Sequence, residues 1–159
     1  MGGPSQPGRL IPDFSAPAST GQTLSLDSFR GKTPLAIFFL PGVEMEEDLS
    51  LLQRYNEHLV DFGRHRAQLL GVVKERARAV RDLADWMNLQ LPILADAGGT
   101  MIRDFGVDEP DGQARHALIV SDKDGNLVRR FDPAPVDDQV EAALATIRGL
   151  GSGVLRRTG

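Results

Sequence analysis

Short continuous runs of apolar residues recur along the chain and predict buried strands. A strand covered on both faces of a sheet has such a run, rather than the alternation of a half-exposed strand. Runs of this kind occupy 34–40, 67–73 and 116–120, and 91–94 is a shorter strand or extended segment. A further stretch, 126–131, follows a turn at 122–125, so the last two strands should form an antiparallel hairpin.

Between these runs the apolar residues are spaced three and four apart, which predicts amphipathic helices. The helix after strand 34–40 begins with acidic residues, which suit the helix dipole, and should end at Gly63. One face of it carries Leu51, Leu52, Tyr55, Leu59 and Phe62. Further helices are expected at 80–87, 100–105 and 136–147. The strand–helix–strand–helix order of the first half predicts parallel strands joined by right-handed crossovers.

The two ends of the chain have a different composition. Residues 1–9 are rich in Gly and Pro, and both 1–9 and 151–159 are predicted to be flexible tails. A turn signal at 20–22, followed by alternation over 23–26, predicts a short N-terminal hairpin. One domain should therefore cover 10–150, with an α/β fold of three layers, α/β/α, around a central mixed sheet.

Composition narrows the possible functions. The 159 residues have a net charge of -4 and a pI near 5.3, which argues against general nucleic-acid binding. The longest apolar run, about seven residues, is far below the ~20 that a membrane helix needs. The first ten residues do not resemble a signal peptide, so a cytoplasmic location is expected. The sequence contains no cysteine, which removes thiol redox chemistry and thiolate metal sites.

Several phrases in a fixed order are similar to the peroxiredoxin family, the alkyl hydroperoxide reductase C and thiol-specific antioxidant type. They are IPDF, a G-x-x-x-x-L followed by DSFRGK, an apolar strand ending in Pro41, LPILAD, FGV and RHALIVSDKDGNLV, and they lie within about 11–150. The resemblance implies a thioredoxin-like fold with an N-terminal hairpin extension. It also implies an antioxidant oxidoreductase activity and a homodimer paired through surfaces around the active-site loops.

The sequence departs from this family at the active site, where the family has Pro, three residues, Thr, two residues and Cys. Counted from Pro41, the Thr position is Met45 and the Cys position is Asp48. A thioredoxin Cys-x-x-Cys pattern also fails, because its positions hold Val43 and Glu46. A cysteine-to-serine replacement would leave Ser at the Cys position, whereas Ser50 lies two residues later, so we infer a natural loss.

The family also has an arginine before the closing hairpin that stabilises the thiolate and the peroxide oxygens. Arg115 fits that role, although it lies one residue early when counted back from Gly125 and so requires a small insertion. The resemblance thus suggests a remnant site in which Asp48 faces Arg115. The competing interpretation is that Asp48 is a solvated acid of the first helical turn.

Other residues give weaker indications of a functional site than Asp48 and Arg115 do. A cation site formed by the acids of the first turn is unexpected, since such acids are routine there. The histidines, His58, His65 and His116, have no metal-ligand spacing. The segment 122–126 starts like a calcium loop, but its Gly comes too early, so it is interpreted as a turn. Neither a metal nor another cofactor is expected.

Two functional hypotheses follow. The first is a peroxiredoxin-like protein that has lost its attacking cysteine and serves as a non-catalytic binding or assembly module, with a protein partner or a small ligand in the remnant cleft. The second is an enzyme of non-thiol chemistry that uses Asp48 or Glu44 with Arg115. The sequence supplies no second catalytic partner at a known spacing, which favours the first.

Overall fold

A five-stranded mixed sheet forms the centre of the protein, with a two-stranded sheet near the N-terminus. The structure is a computed structural model, and it describes residues 7–158. The elements in chain order are β1 (Ser15–Pro17), β2 (Thr23–Ser25), a 3-10 turn (Leu26–Ser28), β3 (Leu35–Phe39), α1 (Glu46–Glu57), α2 (Leu59–Arg64), β4 (Gln68–Val73), α3 (Ala77–Met87), β5 (Ile93–Ala95), α4 (Thr100–Asp104), β6 (Ala117–Ser121), β7 (Leu127–Phe131) and α5 (Gln139–Thr158).

The strand order in the main sheet is β5-β4-β3-β6-β7. Strand β3 pairs in parallel with β4, and β4 in parallel with β5, as the strand–helix–strand–helix pattern predicted. Strand β6 runs antiparallel to both β3 and β7. The mixed sheet, the closing hairpin β6–β7 and the N-terminal hairpin β1–β2 are therefore confirmed.

Alternate residues of β3 enter two separate hydrophobic cores. Ala36 and Phe38 face the core that contains apolar residues of α1, α2, α3 and α5. Leu35, Ile37 and Phe39 face the other core, which contains apolar residues of the N-terminal hairpin β1–β2 and of α4. Because side chains of a strand alternate between faces, one buried strand supports both layers. The three-layer α/β/α architecture is confirmed.

The first core is closed tightly where α1 crosses the sheet. The Phe38 ring stacks on Tyr55 with 3.9 Å between ring centroids. A Cβ atom at Gly71 would lie 2.8 Å from both Phe38 Cζ and Ile93 Cδ1, so any other residue here would require these core side chains to shift. The Tyr55 hydroxyl donates to Gln139 Oε1 at 2.7 Å, and burial raises the pKa of Tyr55 well above its usual value. The packing of α1 on the sheet is thus fixed by shape and by one buried hydrogen bond.

The helix after β3 differs from its prediction. It is interrupted at His58, whose backbone N–H is shared between the carbonyls of Arg54 and Tyr55, and α2 then continues the apolar face to Phe62. A break of one residue leaves the spacing of the apolar positions almost unchanged, so the pattern does not reveal it.

The predicted tails also differ in part. Residues 1–6 and 159 lie outside the described residues, but the Gly8 N–H donates to Leu127 O at 2.7 Å and the Leu127 N–H to Arg9 O at 2.6 Å. Order therefore begins before Leu10. Helix α5 continues to Thr158, past the predicted helix at 136–147 and through Gly149 and Gly151. Glycine disfavours a helix by only about 1 kcal/mol per residue, so it does not compel an end. Within residues 7–158, no helix has the length and apolar content needed to cross a bilayer.

Candidate functional site

The start of α1 places Asp48 inside the protein rather than in solvent. Asp48 is the third residue of α1 and is only 3% exposed, whereas Glu44, Met45, Glu46 and Glu47 are exposed. Positions 48, 51, 52 and 55 form the buried face of α1, with the three- and four-residue spacing of a helix. The interpretation of Asp48 as a solvated first-turn acid is therefore wrong.

The partner of Asp48 is His116. Its Nε2 atom lies 2.5 Å from Asp48 Oδ1, and the two side chains are 19% and 4% exposed. His116 directly precedes β6, the antiparallel neighbour of β3. A short contact between an imidazole and a buried carboxylate satisfies both polar groups, which would otherwise be costly to bury. The site therefore joins the first turn of α1 to the start of β6.

Arg115 points elsewhere, so the predicted pair of Asp48 with Arg115 is corrected. Its guanidinium makes a two-pronged contact with the Asp132 carboxylate, Nε to Oδ1 at 2.9 Å and Nη2 to Oδ2 at 2.8 Å. Its other hydrogen bonds go to Asp108 O, Glu109 Oε2 and Gly106 O. Consecutive residues of an extended segment project in opposite directions, so only one of Arg115 and His116 can face Asp48.

The paired residues of β6 contain no extra residue opposite β3. The pairing of β3 with β6 is continuous from Leu35↔Ser121 to Phe39↔Ala117. The pairing of β6 with β7 has a bulge between Val120 and Ser121, and the additional residue, Val128, belongs to β7. Counted back from Gly125 without an insertion, the family's arginine position is His116, which is the residue that contacts Asp48.

Asp132 is the centre of an ion-pair network beside the site. Arg130 Nη2 donates to Asp132 Oδ2 at 2.7 Å, in addition to the contact from Arg115. The hydrogen bond from Arg115, joined by the one from Arg130, holds the pKa of Asp132 below its usual value, and the same bond to Asp132 raises the pKa of Arg115. The network fixes the segment that precedes β6 against the end of β7.

Replacing Asp132 by asparagine should therefore destabilise the protein in a pH-dependent way. A carboxyl group with a lowered folded-state pKa stabilises the fold above its unfolded value, about 3.9, and this contribution is lost as pH falls through the folded value. We expect Asp132→Asn to reduce the free energy of unfolding by about 1–2 kcal/mol at pH 7 and by much less at pH 3. Urea unfolding at both pH values measures this difference.

The matched control is Asp82→Asn, which changes an exposed acid in the middle of α3. It should have little effect at either pH. If Asp132→Asn lowered the free energy of unfolding by the same amount at pH 7 and at pH 3, the role of the charged pair would be contradicted.

An open cleft of about 430 Å³ lies next to this network. Its wall includes Pro41, Glu109, Arg115, His116 and Pro133. Of the predicted remnant-site residues, Pro41 and Arg115 line the cleft, and Asp48 contacts the lining residue His116. Met45 is 67% exposed at the N-cap of α1.

Three potential metal ligands lie close together at this site. Glu47, Asp48 and His116 each offer one ligand atom, and these three atoms lie within 4.8 Å of one another, so these residues could hold a metal ion.

Comparison with known proteins assigns the family. The model of the AhpC/TSA family matches residues 7–130. The chain belongs to the AhpC/TSA family. The Mycobacterium tuberculosis protein "Putative peroxiredoxin Rv1608c" is 24% identical over 151 residues, which cover 92% of this chain and 98% of that protein. The chloroplastic peroxiredoxin Q of Populus jackii is 25% identical over 100 residues, covering 63% of this chain and 46% of that one.

Solved structures share the fold of this AhpC/TSA protein. The peroxidoxin BcpB of Mycobacterium tuberculosis superposes with a TM-score of 0.83 at 24% identity, covering 91% of this chain and 97% of that chain. A mutant of peroxiredoxin Q from Xylella fastidiosa has a TM-score of 0.84 at 13% identity, covering 92% and 98%. At these identities the likeness shows the fold, and the thioredoxin-like prediction is confirmed.

His116 is the site residue that sequence reasoning missed. The histidines lack metal-ligand spacing along the chain, but contact between α1 and the start of β6 depends on sheet pairing, which that spacing does not show. One signal was available: the count from Gly125 reaches His116 without an insertion. Counted from Pro41 and from Gly125, Asp48 and His116 fall at the positions where the family resemblance implies a sulfur nucleophile and a guanidinium.

Proposed function

We propose that this AhpC/TSA family member does not reduce peroxides and acts as a binding or assembly module. The observation that carries the proposal is the identity of the residue at the family's cysteine position. Counted from Pro41, this position is Asp48, which is buried in the first turn of α1 and in contact with His116.

The chemistry of a carboxylate supports this proposal. Thiol peroxidases cycle through a sulfenic acid, which forms when a thiolate sulfur attacks a peroxide oxygen. The Asp48 carboxylate contains no sulfur, and the 159 residues include no cysteine that could substitute for it. The contact with His116 further holds the carboxylate in an internal pair.

The contacts also weigh against the alternative of an enzyme that uses Asp48 or Glu44 with Arg115. The Arg115 guanidinium binds Asp132, Glu109 and two backbone carbonyls rather than facing the first turn of α1. Glu44 is exposed. A catalytic pair with Arg115 would require these contacts to be exchanged, so binding in the existing cleft is the better supported function.

The purified protein should therefore show no thiol-dependent peroxidase activity. Hydrogen peroxide and an alkyl hydroperoxide are supplied with dithiothreitol, and consumption is compared with a blank without protein and with Asp48→Asn. We expect wild type, Asp48→Asn and the blank to be equal. Turnover above the blank that disappears in Asp48→Asn would contradict the proposal.

We also propose that the protein forms a homodimer through the surface around the cleft, in the cytoplasm, as the family resemblance suggested. Met45 is the exposed apolar residue at the N-cap of α1, four residues after the cleft residue Pro41. Light scattering at micromolar concentration should give twice the chain mass of 17.3 kDa. Met45→Glu should weaken the dimer, because a buried unpaired charge is costly at an interface.

The control for this prediction is Trp86→Glu, since Trp86 is 72% exposed on α3. It should leave the dimer intact. A monomer for wild type, or a dimer lost in Trp86→Glu and kept in Met45→Glu, would contradict an interface at the cleft.

A further inference from the structure

Three potential metal ligands meet between the first turn of α1 and the start of β6. They are an oxygen of Glu47, an oxygen of Asp48 and a ring nitrogen of His116, with all three atoms within 4.8 Å of one another. Asp48 is buried and His116 is half-buried, whereas Glu47 is exposed. The ligands thus come from two elements whose relative position is fixed by the sheet.

The donor set indicates a particular class of ion. An imidazole is a good ligand for Zn²⁺ and its neighbours in the first transition row, whereas Ca²⁺ and Mg²⁺ are bound by oxygen atoms. Two carboxylates and one imidazole supply three protein ligands and leave the fourth position to a water, which is the ligand count of an open zinc site. The Glu47 side chain is exposed and can turn toward the ion.

The distances require only a small adjustment. Metal–ligand bonds of about 2.0–2.1 Å in a tetrahedral site place neighbouring ligand atoms about 3.3 Å apart. His116 Nε2 and Asp48 Oδ1 are 2.5 Å apart. A bound ion would replace the hydrogen that they share and would increase this distance by less than about 1 Å. The partial positive charge of about +0.5 at a helix N-terminus opposes a cation, but two full negative charges exceed it.

We propose that Glu47, Asp48 and His116 form a binding site for Zn²⁺ or a similar divalent transition-metal ion. The proposal rests on the proposed function, because it names the ligand that this non-peroxidase site binds. Arg115, the cationic residue of the adjacent cleft, is paired with Asp132 and so does not compete for the two carboxylates.

The test is calorimetric titration with Zn²⁺ of the full chain, without an affinity tag and after dialysis against a chelator. We expect one Zn²⁺ per chain, with Mg²⁺ giving no comparable heat. Glu47→Gln should weaken binding at least about tenfold, since changes even to the partners of metal ligands have effects of this size. Glu46→Gln is the matched control, because it removes an exposed acid next to Glu47 and should leave the affinity unchanged.

Two further variants complete the design. His116→Gln should also weaken Zn²⁺ binding by about tenfold or more, whereas His65→Gln, which changes an exposed histidine on another surface, should not. Circular dichroism shows whether each variant is folded. If His116→Gln does not fold, the comparison of Glu47→Gln with Glu46→Gln decides, because Glu47 is exposed. No Zn²⁺ binding, or binding equally strong in Glu47→Gln and Glu46→Gln, would overturn the metal site. The absence of peroxide reduction would stand independently of that result.

Discussion

Replacing His116 by alanine should lower the free energy of unfolding by about 3 kcal/mol at pH 7. The Asp48 side chain is 4% exposed and its Oδ1 lies 2.5 Å from His116 Nε2. Removing the imidazole leaves a buried carboxylate that must lose its charge, admit water or move. Each of these costs free energy because a charge away from water is stable only when it is paired.

Urea unfolding measures this loss, and His65→Ala is the control. His65 is exposed at the end of α2, so its removal should change stability by less than about 0.5 kcal/mol. In a double-mutant cycle with Asp48→Ala, the two losses should not add, because either single change already breaks the pair. A His116→Ala protein as stable as His65→Ala would contradict a stabilising contact between Asp48 and His116.

Most of the fold could be predicted because each strand leaves a local signal. The run at 34–40 is apolar on both faces, and the structure uses both faces of β3 for separate cores. The break of the first helix at His58 and the extension of α5 to Thr158 were missed. Both depend on packing and on small backbone preferences that the order of apolar and polar residues does not encode.

The site was predicted less well, because its contacts join distant parts of the chain. The position of Asp48 came from the Pro41 spacing, and its burial could have been deduced from the series 48, 51, 52 and 55. The family resemblance predicts Arg115 opposite Asp48, whereas Arg115 pairs with Asp132, which lies just after β7. Which of two adjacent residues faces α1 depends on the register of β6 with β3, and the order of residues along the chain does not show that register.

Restoring a cysteine tests whether Asp48 stands at the family's reactive position. In Asp48→Cys the thiol would lie in the first turn of α1, near His116. Both the helix N-terminus and a protonated imidazole stabilise a thiolate, so the pKa of this thiol should fall below the free value of about 8.5. We expect it at least about one unit lower.

Peroxidase activity should remain low in the same variant. Met45 occupies the position where the family resemblance implies a hydroxyl, and Met45 is largely exposed. Without that group the peroxide is not oriented for attack, and orientation supplies a large part of the rate of such reactions. The variant should thus have a reactive thiol without efficient turnover.

The pH dependence of alkylation of Asp48→Cys is the most direct measurement, with Ser50→Cys as its control. Ser50 is exposed on the same helix but beyond the first turn. Our account predicts an alkylation midpoint clearly below pH 8.5 for Asp48→Cys and one close to 8.5 for Ser50→Cys. Equal midpoints for the two thiols would contradict the placement of the remnant active site at Asp48.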